Sequence, residues 1–421
     1  MKYCFYRKCY SKTDVVTRLP NVDMTRFWST RGIMSACARK SKCEPLSKYR
    51  RADGSCNNLH SPEWASSFSC HRRLLPPDYA DGVSSPRVAY DGSPLPNARD
   101  LSTLLLPDLS VQDHRLTSMS MAFGQFAIHD ITRTLPFAGD IKCCDSDIPL
   151  SKRHPECFPI PIKRDDDPLV QMFNQTCLNF VRTTVCNRCG FGPREQQNQA
   201  TSTFDLSHMY GNRQNETANV REFQSGRLRS SSTASLPKEE LPPKSEVAGC
   251  NVRPEPPRFK CFESPDGIRA SQHPALQALH VAFHRRHNMH ATGLSMVNSH
   301  WGDEKLFQEA RRLCIAEMSA IVFGEYLPTI FGKKILNHFR LGLAPLGKFT
   351  KYDEHLNPST IQEFITASGR FGHSNINEQF RVLMNSGKKQ SSFSFLIGDN
   401  FFETTMVSLG HVNYLLIVIF F

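Results

Sequence analysis

The stretch Met121 to Thr134, MAFGQFAIHDITRT, constrains the fold of this chain more than any other. Roughly Leu116 to Thr132 reads as one mainly apolar helix, set between the turn-rich approach Leu75 to Leu105 and a run of cysteine-rich loops. Gln125 and His129 stand four residues apart and share a face of that helix. His129 and Asp130 are consecutive, about 100° apart around the axis, so they must serve different sites. A polar trio on a helix otherwise fit for burial costs free energy unless each member has a partner. On this stretch alone a satisfied core histidine beside an exposed carboxylate competes with a functional reading.

A chain of 421 residues can bury a large core, as one big domain or two or three ordinary ones. The balance of 51 Lys+Arg against 40 Asp+Glu gives a net charge of +11, which raises a nucleic-acid or membrane-surface partner. The positive residues are scattered, with small clusters such as Arg285-Arg286 and Arg311-Arg312 inside expected helices, so a solvated face accounts for them and no nucleic-acid partner is expected. Fifteen cysteines, most in loop-like stretches, favour a disulfide framework in a secreted protein. The odd count leaves at least one thiol free or paired with another molecule. Sequons at Asn174 and Asn215 agree with secretion, whereas Met1 to Thr17 has no apolar run and does not read as a signal peptide. Either export information is missing from this chain or the protein is not exported. Cys186 and Cys189 could be half of a zinc site, but no second pair stands at a suitable distance, so disulfides are the default.

Residues 1 to 50 are basic and irregular, carry Cys4, Cys9, Cys37 and Cys43, and read as a variable extension. From Arg51 to Arg87 the density of Gly, Pro, Asn and Asp predicts a long ordered loop, and Ser225 to Pro257 reads as a surface loop. Pro274 suits a first helical turn, with Ala275, Leu276, Leu279, Ala282 and Phe283 forming an apolar stripe on a helix to about Met296. A second helix is expected from about Asp303 to Phe323. Pro358, Ser359 and Gln362 give a capping-box start for a third, leading into Arg370 and His373. Strand patterns are few, so the fold reads as mainly α. Residues 403–421 form an atypical apolar tail, whose run Leu415 to Phe421 is too short to span a bilayer and is an aggregation risk if exposed.

Three segments resemble the animal haem peroxidases, in the family's order. GQFAIHD, Gly124 to Asp130, resembles the distal-histidine helix; TSTFDLSHMYG, Thr201 to Gly211, resembles the calcium loop; and RFGHS, Arg370 to Ser374, resembles the proximal-ligand helix. The likeness runs from about Ala52 to Phe402 and includes the opening ADGSCNNL, the run LPPDYADG, and the CC and CFPI elements, in the manner of the peroxidasin and chorion-peroxidase branch. It implies one large, mainly helical, disulfide-bonded peroxidase domain over 51–402, with its C-terminal part missing.

The resemblance also implies roles. His373 would be the axial ligand of haem b, with Arg370 beside it. His129 would move a proton between the oxygens of hydrogen peroxide, next to Gln125, and Arg269 in GIRASQHP would stabilise the developing negative charge. Without the family, Arg269 is an ordinary surface or ion-paired arginine. Asp130, Thr201, Thr203, Asp205 and Ser207 would hold Ca²⁺ and pin the distal helix, although an alternating Thr/Asp/Ser loop alone is usually just a turn. Ile128 and Gln272 stand where many members carry the ester-forming acids, so the haem is expected to be non-covalent and strong halide oxidation is not expected. The family continues well past the proximal histidine, and this chain stops at Phe421, which suggests a truncated product. The expected function is peroxide reduction with oxidation of a small phenolic or tyrosine-type donor. The alternative is a non-catalytic, disulfide-bonded extracellular binding protein that keeps the fold and the calcium loop.

Overall fold

The computed structural model describes residues 3–5, 8–10, 41–106, 109, 111, 113–137, 141–145, 147–149, 152–186, 192–233, 236–244, 261–343, 352–385, 390–402 and 404. Cys37, Cys189 and the apolar run 415–421 lie outside these residues. The chain divides into two compact units, one built from Met1–Lys40, Phe68–Gln112 and Thr134–Gln199, the other from Ser41–Ser67, Asp113–Arg133 and Ala200–Phe421.

The first unit is loop-rich and held by covalent and ionic staples. Its helix α1 (Ala98–Leu105) starts where the Asn97 side chain accepts the backbone N–H groups of Arg99 and Asp100. Arg99 forks onto Asp167, its Nε and Nη2 each 2.8 Å from a carboxylate oxygen, and Asp167 also caps the short helix Pro168–Phe173. The strand pieces are two residues long, Ser69–Cys70 against Gln197–Asn198 and Ile160–Pro161 against Cys177–Leu178. Such short ladders bury little, and disulfides Cys70–Cys186, Cys143–Cys157 and Cys144–Cys177 close the loops instead. Cys186 is therefore not available as a zinc ligand.

The second unit carries the long helices: α2 (Ser118–Ile131), α3 (Pro274–Val297), α4 (Asp303–Ile321) and α5 (Leu327–Phe339). Pro274 stands in the first turn of α3, and the preceding His273 caps it by accepting the N–H of Leu276. Asp303 and Glu304 open α4, where carboxylates favour the helix dipole. The helix predicted to stop near Phe323 instead passes through a π turn, Val322–Tyr326, into α5, which Gly332 interrupts at φ +76°. By length and composition the run Asp303–Phe339 could cross a membrane; its first half joins the buried interior through Leu306, Phe307 and Ala310, only 17% of its apolar window is buried, and the π turn and Gly332 interrupt it.

Phe126 of α2 sits at the centre of that interior. Its ring stacks on Phe283 at 4.9 Å and meets His208 and His280 edge-on at 4.3 and 5.0 Å. Two residues earlier, a Cβ on Gly124 would stand 2.3 Å from the Tyr326 hydroxyl, so only glycine lets the π turn approach α2 this closely.

Three expectations need correction. Ser359 does not open a helix: its hydroxyl accepts the N–H of Ala65, Ile361 takes the cap position, and only Gln362–Thr366 is α-helical before a 3₁₀ turn over Ser368–Asn375. Part of the supposed loop Ser225 to Pro257 forms strand pairs, Ser231–Thr233 with Leu236–Glu240 and Pro243–Lys244 with Cys261–Phe262. An antiparallel hairpin, Gln379–Asn385 with Gln390–Leu396, lies beyond the 3₁₀ turn, and the alternation of Phe380, Val382 and Met384 is its signal.

Replacing Phe126 with Ala is expected to cost about 3–5 kcal/mol of folding stability, because the ring fills the centre of the cluster and its neighbours cannot all collapse onto the gap. Denaturant unfolding measures this, and a loss below ~1 kcal/mol would contradict the central placement of Phe126.

Candidate active site

Helix α2 delivers His129 and Asp130 to two different environments, both fully inside the second unit. His129 Nδ1 lies 3.0 Å from Asp266 Oδ2. Burial alone would raise the Asp266 carboxyl, but Arg269 and His129 more than offset this and hold it well below the usual carboxylate range. An ionised carboxylate only accepts, so Nδ1 carries the proton and Nε2 is the bare nitrogen. Burial pushes the His129 imidazole down to about 4, Arg269 adds to the effect, and Asp266 opposes it. His129 is therefore neutral at pH 7, with its basic nitrogen fixed.

Arg269 is not a free cation. Its Nε donates to Asp266 Oδ1 at 2.9 Å, one terminal nitrogen donates to the Thr132 carbonyl at 2.9 Å, and the other reaches the His129 carbonyl at 3.3 Å and Asp266. The guanidinium thus caps the C-terminal end of α2 while holding the carboxylate that orients His129. Gln125 shares the His129 face but is fully engaged. Its Nε2 donates to Gln272 Oε1 and its Oε1 accepts from His273 Nε2, both at 2.8 Å. Ile128 and Gln272 offer no carboxylate, as expected.

Asp130 is completely buried, which excludes the exposed carboxylate that the helix alone allowed. Its Oδ2 accepts from the N–H of Leu206 at 3.0 Å and its Oδ1 from that of Ser207 at 2.6 Å, while the Ser207 hydroxyl donates to the Asp130 carbonyl at 2.9 Å. Leu206 sits in the left-handed region at φ 58°, a conformation costly for a leucine that its N–H bond to Asp130 helps to hold. In the same loop Asp205 takes the hydroxyls of Thr201 and Thr203 at 2.7 and 3.2 Å. Burial pushes Asp130 up to about 7 against its backbone hydrogen bonds. Burial pushes Asp205 up to about 6, with the Asp130 charge adding to the effect. Two buried carboxylates, one raised further by the charge of the other and both set among hydroxyl oxygens, form a hard-donor set that fits Ca²⁺.

His373 and Arg370 lie on the 3₁₀ turn, both exposed. Arg370 Nε donates to the Ile365 carbonyl at 2.9 Å. His373 makes no hydrogen bond among the described residues, and burial with the charge of Arg370 lowers its imidazole, so it is a neutral nitrogen donor of the kind haem iron takes. The turn lies beside α2, where Asn377 Nδ2 donates to Ser118 Oγ at 3.1 Å. Phe401 packs its ring 6.3 Å from that of His273, and the Phe402 N–H donates to the Gln272 carbonyl at 2.9 Å.

Sequence reasoning missed Asp266, the partner of both His129 and Arg269. Its one local signal is its place three residues before Arg269. It also missed the buried imidazoles His208, His273 and His280, which burial pushes down to about 4, 3 and 4.

A sequence model described as animal haem peroxidase matches residues 49–420. A chorion peroxidase of Aedes aegypti is 37% identical over 378 residues, covering 86% of this chain and 47% of that protein. Thyroid peroxidase of Homo sapiens is 33% identical over 404 residues, covering 83% and 41%. Among solved structures, peroxidase A of Dictyostelium discoideum shares the fold with a TM-score of 0.66 at 24% identity, covering 88% of this chain and 67% of that one. The chain spans about half the length of the first curated relatives it matches, 47% and 56%.

The raised carboxylates give a pH signature in metal-free protein. Stability from their protonated forms is present at acid pH and is lost as pH rises through about 6 and about 7. Asp205→Asn removes one of the two charges, so its melting temperature in EDTA is expected to gain on the native chain between ~pH 5 and ~pH 8. A gap that stays constant across that range would contradict the coupling.

Proposed function

Because the chain belongs to the animal haem peroxidase family, we propose that it reduces hydrogen peroxide at a haem b held by His373 and then oxidises a small phenolic or tyrosine-type donor. The observation that supports this reading is the Asp266–His129 pair, which leaves a neutral imidazole with one bare nitrogen. When bound, haem would supply the two electrons that O–O cleavage needs. His129 Nε2 takes the proton from one peroxide oxygen and returns it to the other, which leaves as water. Asp266 keeps the Nδ1 proton in place and stabilises the imidazolium that exists between the two transfers. Arg269 supplies positive charge next to this pair and favours the charge that builds on the departing oxygen.

The supporting roles follow the same geometry. Gln125 ties α2 to the start of α3 through Gln272 and His273 and so sets the tilt of the helix that carries His129. Arg370 braces the turn that carries His373. Ca²⁺ bound by Asp130, Thr201, Thr203, Asp205 and Ser207 would neutralise the buried carboxylates and fasten α2 from the opposite side. With Ile128 and Gln272 in place of acids, the haem would be held without ester links. Four disulfides among the described residues and the exposed sequon residues Asn174 and Asn215 support a secreted protein.

The test is the visible spectrum of the haem-supplemented chain with Ca²⁺ present. A Soret band that is lost in His373→Ala supports axial ligation, and its absence from a folded native chain would leave the non-catalytic binding reading. Once haem is bound, Asp266→Asn is expected to slow the stopped-flow reaction with peroxide by about 10–100-fold, since it removes the group that orients the base. In the native chain that rate should hold at neutral pH and fall as His129 protonates towards about 4. An Asp266→Asn chain as fast as the native one would remove the pair from the mechanism.

A further inference from the structure

Helices α3 and α4 lie side by side and bring together three different metal-ligating side chains, none of which the peroxide site uses. Cys314 and Glu317 are three residues apart and share one face of α4. His290 projects from α3, and its Nε2 lies 3.1 Å from Glu317 Oε1. The imidazole nitrogen, the thiol sulfur and a carboxylate oxygen all lie within 4.8 Å of one another. We propose that His290, Cys314 and Glu317 bind a divalent transition-metal ion of the zinc type, which clips α3 to α4.

The chemistry of the donors selects the ion. One thiolate, one imidazole and one carboxylate suit Zn²⁺ or Co²⁺, which take four ligands in a tetrahedron and would keep water at the fourth position. Donor atoms around such an ion sit about 3.3–3.6 Å apart, so the cluster must contract by about 1 Å. The side chains that have to move can do so, because His290 and Glu317 keep 16% and 31% of their surface exposed while Cys314 is fully buried. The same exposure provides the entry path from solvent.

Binding balances charge and protons. The thiol gives up its proton to solvent, and the His290 proton, which Nε2 donates to Glu317 in the metal-free chain, moves through solvent to Nδ1 so that Nε2 offers its lone pair. The ion, the thiolate and the carboxylate then sum to zero charge. Burial pushes the metal-free thiol up to about 12, which keeps Cys314 protonated until an ion displaces the proton. Arg286 grips both oxygens of Glu317, its Nε 2.9 Å from Oε2 and 3.0 Å from Oε1 with Nη2 also on Oε1, so on metal binding it keeps Oε2 as the outer partner and yields Oε1 to the ion. Cys314 is the free cysteine among the described residues, and a metal-bound thiolate gives it a use that a disulfide does not.

The test is a Co²⁺ titration of the full chain, with Ca²⁺ in excess to fill hard-donor sites. One equivalent of Co²⁺ is expected to give a near-ultraviolet thiolate-to-cobalt absorption band that Zn²⁺ abolishes by displacement. Cys314→Ala should lack the band, and His290→Gln, at a partly exposed position that tolerates change, should bind at least about tenfold more weakly. No band in the native chain, a band that persists in Cys314→Ala, or undiminished affinity in a folded His290→Gln chain would each overturn the proposal. The result does not depend on whether haem binds.

Discussion

The carboxylate of Asp130 accepts two backbone N–H groups from the loop that follows Asp205, and the Ser207 hydroxyl returns a bond to the Asp130 carbonyl. Asp130, Leu206 and Ser207 are all buried, so each of these groups would cost free energy if left alone, and α2 and the loop hold one another in register. The next residue back along the helix is His129, and consecutive residues on a helix point about 100° apart. Fixing Asp130 therefore fixes the direction of His129. Arg269 and Asp266 then close the other side, one through the carbonyls at the end of α2, the other through the imidazole.

Around this helix the interior is unusually rich in imidazole. His208, His273, His280, His284 and His287 are all buried, and burial holds every one of them below its ordinary pKa, so the folded chain keeps them neutral at pH 7. Their tautomers follow from their partners. His280 Nδ1 donates to the Leu276 carbonyl, whereas His287 Nε2 donates to the Gly226 carbonyl and its Nδ1 accepts from the Tyr210 hydroxyl. Because these groups must charge to unfold in acid, the stability they contribute is lost as pH falls from their ordinary range toward about 4. The buried Asp130 and Asp205 pull in the opposite direction, which is why a cation is the natural complement of their loop.

Much of this was legible in the chain itself. An apolar helix with His129 and Asp130 on different faces, the Pro274 helix start and the hydroxyl-rich loop Thr201 to Ser207 all rest on local spacing, and local spacing survives folding. Asp266 was missed because its contact with His129 spans 137 positions of sequence, and its one local signal, Arg269 three residues on, is common to many turn aspartates. The capping-box reading of Ser359 failed for a related reason: a distant backbone N–H, that of Ala65, took the hydroxyl. Helix α5 was missed because Gly332 and the π turn interrupt the 3.6-residue period, and the hairpin from Gln379 because its short alternating runs are weak signals beside the helices.

The measurement that tests the account most directly compares native chain and Asp130→Asn by amide hydrogen exchange together with the rate of reaction with peroxide, both in Ca²⁺ and haem. Loosening of the Leu206 and Ser207 amides and of the C-terminal turns of α2, with a matching loss of peroxide reactivity while His129, Asp266 and Arg269 are intact, is the predicted result. An Asp130→Asn chain that exchanges and reacts as the native one does would show that His129 is positioned without this anchor, and would contradict the account.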